Sequence, residues 1–424
     1  MLDPGLGKTS ILLAIFSVLK SMGYVDRMLV IAPIKPIYLT WPNEIEKWKE
    51  FNHLTYHIIH GKTRNFWEYE DADIYLVNPE GMKWLEPHLL KLQCDVLAVD
   101  ESTKFKNSTS KRFKMLRRFI PKFARRYIAT GTVCPNGLLD LFGQMYILDE
   151  GHALGRYITH YRKKWFTPDW SGYNWEANDN AMGEITTAIA PLCLQLNAED
   201  HIDMPELMET DILVQLPPDV MKLYKEIENE YIASLPETNT ELVAASDAAA
   251  GTKCRQICNG AVYTDGKMWE PVHNEKINAL VDILDQIGEL PVILVYEFQH
   301  DKERIMAAVE GCECMTGVFG DALRDMEHRF NLGMINRLVV HASGTAGLNL
   351  QGPCSHMVWL CMPWDLEAYM QTIYRLYRQG QKATIVMVYR ILAEDTLDLR
   401  VVRILKEKEE EQNEVGRRIA DYRR

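Results

Sequence analysis

Three short runs in this 424-residue chain hold side chains able to work on a phosphate ester. The first is Pro4-Gly5-Leu6-Gly7-Lys8-Thr9. Its glycines let backbone N–H groups turn inward around phosphate oxygens. Lys8 is placed to reach the β- and γ-phosphates of a nucleoside triphosphate, and Thr9 to ligate Mg²⁺. The full loop pattern begins with a glycine, a position held here by Leu2. The second run is Asp100-Glu101, which closes the apolar stretch Val96-Leu97-Ala98-Val99. Two carboxylates at the end of a buried strand suit a pair in which Asp100 holds the metal and Glu101 orients or deprotonates an attacking water. The third, Gln371 to Gln381, carries Arg375 and Arg378 three residues apart, a spacing that predicts both guanidiniums on one helix face. Arginines of this kind stabilise the charge that builds on a transferring phosphoryl group.

These side chains need a scaffold, and the apolar pattern supplies one. After the glycine loop, Ile11, Leu12, Leu13, Ile15, Phe16, Val18, Leu19 and Met22 fall at helical spacing, with Gly23 as the stop. That helix would aim its N-terminus at the phosphates. Short apolar runs follow at Met28–Ala32, Asp73–Val77, Val96–Val99 and Arg126–Ala129, and again at Pro291–Tyr296, Arg337–Ala342, His356–Cys361 and Thr384–Ile391. Runs of this kind suit strands buried on both faces of a parallel sheet. Strands alternating with helices predict a doubly wound α/β fold. Between Gly151 and Gly260 the rhythm lapses: residues 170–180 read as a loop, while Met221–Ala233 and Leu242–Cys258 read as helices.

Composition narrows the class. The chain is 47% apolar and 25% charged, within the range of a soluble globular protein, and too long for one core. Its net charge of -12 gives no bulk attraction for nucleic acid, so such a partner would need a local basic patch. One candidate is Lys111, Arg112, Lys114, Arg117, Arg118, Lys122, Arg125 and Arg126, a stretch without an acidic residue. A smaller one is Tyr161, Arg162, Lys163, Lys164 and Trp165. The nine cysteines lack paired zinc-site spacing and read as buried thiols in a reducing compartment. No signal peptide or membrane-length apolar run is visible, so a cytoplasmic protein with no membrane partner is expected.

Taken in order, the motifs resemble those of the superfamily-2 helicase-like ATPases, and among them the Swi/Snf-type DNA translocases. Ala32-Pro33 with Trp41, Glu44 and Trp48 is similar to the family's motif Ia. Asp100-Glu101-Ser102-Thr103 resembles the acidic box, although its third and fourth residues depart from the commoner Ala/Gly-His. Thr130-Gly131-Thr132, with Pro135-Asn136 close behind, resembles the coupling motif. Ser343 to Leu350, Pro363-Trp364-Asp365 and Gln371 to Gln381 are similar to motif V, the step before motif VI, and motif VI itself. Leu223-Tyr224 and Arg255-Gln256-Ile257-Cys258-Asn259 fall where the family carries a helical protrusion.

The resemblance implies two RecA-like lobes with ATP and Mg²⁺ as cofactors. It assigns Lys8, Asp100, Glu101, Gln371, Arg375 and Arg378 to catalysis, and Gly347 with the glycine loop to nucleotide binding. It assigns Lys35, Ser343, Thr345 and Trp364 to the nucleic-acid track, beside Lys111 and Arg112 of the basic run. The expected domains are a first lobe over 1–210 with a helical insertion at about 151–190, a protrusion and linker over 211–270, a second lobe over 271–396, and a charged helix over 397–424. In the family a strand and an adenine-reading glutamine motif precede the loop. Only Met1 and Leu2 stand before Asp3 here, so a gap in the first sheet is expected. The implied activity is DNA-stimulated ATP hydrolysis driving movement along duplex DNA. The alternatives are a strand-separating DNA or RNA helicase, and an ATP-dependent DNA clamp with little turnover.

Overall fold

A computed structural model describes residues 5–61, 71–169, 174–196, 198, 203–234, 249–264, 268–318, 320–345 and 348–422. The chain divides into two compact units, residues 1–201 with 410–424, and residues 202–409.

In the first unit β1 (Met28–Ile31), β2 (Tyr56–Ile59), β3 (Ile74–Val77), β4 (Val96–Asp100) and β5 (Arg125–Ala129) form an all-parallel sheet in the order β2-β3-β1-β4-β5. Side chains alternate between its faces, so one apolar run feeds two cores. Met28, Val30, Ile74, Leu76, Val96 and Ala98 pack with Leu12, Leu13 and Phe16 of α1 (Lys8–Ser21), Ile37 of α2 (Ile34–Tyr38), and Trp41 and Ile45 of α3 (Thr40–Lys47). Leu29, Ile31, Tyr75, Val77, Leu97 and Val99 pack on the other face with Phe113, Leu116, Leu141 and Met145 from the helices Lys111–Phe119 and Leu141–Asp149. The neighbours pair in unbroken order, with β5 at the edge. The gap expected inside this sheet is not seen among the described residues, and Met1–Pro4 lie outside them. Residues 170–180, read as a loop, contribute half of an antiparallel hairpin, β6 (Phe166–Pro168) with β7 (Trp175–Ala177).

The second unit opens with β8 (Glu206–Val214), followed by a small antiparallel pair, β9 (Ala261–Tyr263) and β10 (Trp269–Pro271). Its main sheet adds β11 (Val292–Tyr296), β12 (Cys312–Cys314), β13 (Arg337–His341), β14 (His356–Trp359) and β15 (Ile385–Ala393). The order is β12-β13-β11-β14-β15-β8, all parallel. Again the strands feed two cores: Ile293, Val295, Met357, Trp359, Val386 and Val388 on one face, Val292, Leu294, Val339, Val358 and Ile391 on the other. Both units are therefore doubly wound α/β lobes.

Within the two main sheets, three strands were not legible as apolar runs: β2, β8 and β12. The reason is clearest for β8, whose Glu209 and Asp211 break the apolar pattern. Arg390, buried on the neighbouring β15, donates to Glu209 at 2.8 Å and to Asp211 at 2.6 Å. The strand's acids are matched by its partner's cation, which sequence proximity cannot reveal. The expected boundary at 210 falls inside β8. The helix read over Leu242–Cys258 is described as Ala249–Asn259, with 242–248 outside the described residues. The final helix, Leu397–Tyr422, supplies Leu397, Val401, Val402 and Leu405 to a core of the second unit, and Val415 and Ile419 to a core of the first. Among the described residues all nine cysteines are free thiols, and no helix is long and apolar enough to cross a membrane.

Candidate functional site

The glycine loop leads directly into α1. Gly7 caps the helix at φ 70°, ψ 37°, and Gly5 stands at φ 94°, both left-handed values that a side chain resists. The N-cap, a glycine, has no side chain to bond the first turn, and no acidic residue occupies that turn. Its N–H groups and the positive end of the helix dipole suit a phosphate. Lys8 opens the helix and Thr9, buried, follows it. Pro4 lies outside the described residues.

β4 delivers Asp100 as its last residue, opposite Ala129 of β5. The next residue, Glu101, has φ 59° and ψ 64°, a left-handed conformation uncommon for a side chain of its size. Burial raises the pKa of Asp100; the Trp41 N–H, the Lys8 charge and the Glu101 backbone N–H oppose that rise. Burial likewise raises that of Glu101, with Lys8 pulling down, Asp100 pushing up, and the Thr130 hydroxyl and Lys104 pulling down. One lysine thus acts on both carboxyl groups, which places loop and acidic pair in one electrostatic neighbourhood. Trp41 Nε1 donates to Asp100 Oδ2 at 3.1 Å. The Thr9 hydroxyl and the Asp100 carboxylate are hard oxygen donors, the class that suits Mg²⁺ when phosphates and water complete the shell.

The coupling run meets the same acid. The Thr130 hydroxyl stands 3.2 Å from Glu101 Oε1 and 2.6 Å from the Thr132 carbonyl, so its single proton serves one acceptor at a time. Its oxygen accepts from the Thr132 N–H at 3.1 Å. Thr103 also donates to Glu101 Oε1, at 3.2 Å. Gln144, fully buried, accepts from Ser102 at 2.6 Å and donates to the Val133 carbonyl at 2.5 Å. It therefore ties the segment after Glu101 to the segment after Thr132. Nothing local to Gln144 marks it for this role in sequence.

In the second unit the third run differs from its sequence reading. The helix Leu366–Ile373 ends before Arg375, so Arg375 and Arg378 do not share a helix face; both sit in the turns that follow. Arg375 Nε takes the Gln371 carbonyl at 2.9 Å, the acceptor that its own backbone N–H would use in a continuing helix. That N–H turns to Thr372 instead, at 3.1 Å, and Gly380 closes the segment at φ 86°. Arg375 Nη1 also donates to the Leu348 carbonyl at 3.1 Å. Gln371 donates to Glu367 at 3.1 Å. Burial lowers the pKa of Arg378 while Glu327 opposes it, and its Nε has no hydrogen-bond partner among the described residues. Gly347 lies outside the described residues.

The nucleic-acid candidates separate by exposure. Thr345 is buried, its hydroxyl 3.1 Å from that of Thr372. Ser343 pairs with the His341 ring at 3.0 Å. Trp364 is half-buried against the second unit's core, and Lys35 is half-buried in α2. Of the basic run, Arg112 is bound to Glu80 at 2.8 Å, Arg118 to Glu86 at 3.1 Å and Arg126 to Glu150 at 2.7 Å. Arg117 donates to the Tyr146 hydroxyl at 3.0 Å. Lys111, Lys114, Lys122 and Arg125 remain exposed. In the smaller cluster Tyr161 is fully buried and donates to the Leu138 carbonyl at 2.7 Å, and Trp165 is buried beside it. Neither ring is free to stack on a base.

A sequence model of the SNF2-related domain matches residues 2–262. The chain belongs to the SNF2-related family, and its class is that of the helicase-like ATP hydrolases. It is similar to the putative protein p41 of Acyrthosiphon pisum secondary endosymbiont phage 1, 32% identical over 93% of this chain and 88% of that protein. It is similar also to the uncharacterized ATP-dependent helicase YqhH of Bacillus subtilis, 22% identical over 96% of this chain and 74% of that protein. Among solved structures, the Sulfolobus solfataricus SWI2/SNF2 ATPase core in complex with dsDNA is similar at 21% identity and a TM-score of 0.43, covering 98% of this chain and 88% of that chain.

Proposed function

We propose that this protein is a DNA-stimulated ATPase that moves along duplex DNA in the cytoplasm, using Mg²⁺ with ATP. The reading is carried by the Lys8 charge acting on both Asp100 and Glu101 at the end of β4, with the left-handed Gly7 capping the helix that Lys8 opens. Lys8 and the N–H groups of the loop grip the β- and γ-phosphates. Thr9 and Asp100 hold the metal, which when bound neutralises phosphate charge. Glu101 orients the attacking water and accepts its proton; burial makes this carboxylate more basic than usual, as a general base requires. Thr130 reads the state of Glu101 through its shared proton. Gln371, Arg375 and Arg378 are assigned to the phosphoryl charge, and Gly347 to nucleotide binding. Exposed Lys111, with Lys114, offers phosphate contacts that carry no sequence information, so binding is expected to be sequence-independent and weakened by salt.

The test is phosphate release with duplex DNA, single-stranded DNA and RNA, for the native chain and for Lys8→Ala. Stimulation by duplex DNA that disappears in Lys8→Ala supports the reading. Stimulation by RNA alone overturns the choice of polynucleotide, and DNA binding without phosphate release overturns the enzyme.

A further inference from the structure

A buried tryptophan stands behind the acidic pair. Trp41 lies at the start of α3 and is wholly inaccessible to solvent, its ring packed among the side chains between α1 and the sheet. An indole N–H is a donor only, and a buried one usually takes an acceptor. Here the acceptor is Asp100 Oδ2, 59 residues further along the chain and 3.1 Å away. The same helix makes a second tie. Glu44, one turn on, accepts from Ser10 Oγ at 2.6 Å and from Trp48 Nε1 at 2.7 Å. Ser10 follows Thr9 directly in α1. One short helix therefore holds both the strand end that carries Asp100 and the helix turn that carries Lys8 and Thr9.

From this we infer that Trp41 is a positioning residue for the metal-holding carboxylate, with Glu44 fixing the α1 side of the same site. The inference rests on the assignment of Asp100 as a Mg²⁺ ligand. Its chemistry is specific to an indole. A neutral donor can neither compete for the cation nor add a charge beside it. By occupying Oδ2 it sets the carboxylate's orientation before the metal arrives, and a ring packed on all sides cannot swing away. Donors that orient a ligating carboxylate commonly contribute about ten- to a hundredfold to metal affinity or activity.

The experiment compares the native chain with Trp41→Phe, which keeps an aromatic ring and deletes the N–H, and with Asp100→Asn. Three quantities are measured for each: affinity for a fluorescent ATP analogue in EDTA, the Mg²⁺ concentration giving half-maximal turnover, and kcat against KM for ATP. Trp41→Phe is expected to bind the analogue in EDTA within about twofold of native, to need about tenfold more Mg²⁺, and to lose kcat with KM little changed. A ring isostere lacking the N–H, benzothienylalanine at position 41, must give the same Mg²⁺ shift if the phenylalanine variant unfolds. Native Mg²⁺ dependence in either variant overturns the role of Trp41. Native Mg²⁺ dependence in Asp100→Asn overturns the ligand assignment instead, so the two failures are distinguishable.

Discussion

The buried ion pair of the second unit gives the most quantitative test of how these lobes are held. Lys276, on the helix Glu275–Ile287, has 0% of its side chain exposed, and Asp398, at the start of the final helix, has 3%. Their N···O distance is 2.6 Å. The two other ammonium donors go to Asn259 Oδ1 at 2.9 Å and the Leu360 carbonyl at 3.0 Å, so all three are used. Burial alone would lower the pKa of this lysine; Asp398 beside it holds it above the usual lysine value, so it stays charged throughout the neutral range. Lys276→Met keeps the length and removes the charge, stranding Asp398 with one backbone partner, the Ala393 N–H at 3.0 Å. Removing one member of such a pair costs about 3–5 kcal/mol. For a unit of this size, a loss of about 4 kcal/mol lowers the melting temperature by about 8–16 °C. Calorimetry would measure the shift, and hydrogen exchange on β11 and β14 would locate it in the second unit. The double variant Lys276→Met/Asp398→Leu should recover most of the loss, because it leaves no uncompensated charge. A single variant losing less than about 1 kcal/mol, or a double variant as unstable as the single, would refute the reasoning.

Two further outcomes are expected. Thr130→Val deletes the donor shared by Glu101 and the Thr132 carbonyl, and should lower turnover about tenfold while nucleotide affinity stays native, measured by phosphate release and analogue binding. His273 should make the second unit acid-sensitive. Burial, reinforced by the nearby Arg304 and Lys276 charges and opposed by its bond to Ile257, lowers its pKa from 6.5 to about 4. Its Nε2 bonds to the Ile257 carbonyl at 2.7 Å, and Nδ1 accepts from the Glu275 N–H at 3.2 Å, an arrangement only the neutral ring can make. Between those pKa values the unfolded chain binds the extra proton. This contribution is therefore complete above pH 6.5 and lost as pH falls toward about 4, at roughly 3 kcal/mol in all. Urea midpoints across that window check it, and His273→Gln should flatten the slope.

Much of the scaffold was readable because burial on both faces forces continuous apolar runs. β1, β3 and β4, and later β11, β13 and β14, lie in such runs, with ends off by a residue or two; β5 and β15 were read as well, although neither is buried throughout. β8 was hidden because its acids answer to Arg390 on another strand. The helix face predicted for Arg375 and Arg378 failed because periodicity ignores side chains that take backbone acceptors, as Arg375 does at Gln371. The basic run looked uniform in sequence, yet half of it is occupied by Glu80, Glu86, Glu150 and Tyr146, none of them within the run.

The sequence by itself determined which residues could do the chemistry. A glycine loop, a strand-end acid pair and a lobe pattern are all local statements, set by φ preference and by the two-residue period of a buried strand. Only the tertiary structure decided what each reactive group touches. Trp41 reaches Asp100 and Thr130 reaches Glu101 across 59 and 29 positions of chain. The physical reason is that a buried polar group draws its partner from whatever the fold brings within about 3 Å. That choice of partner is made by packing, and spacing along the chain does not encode it.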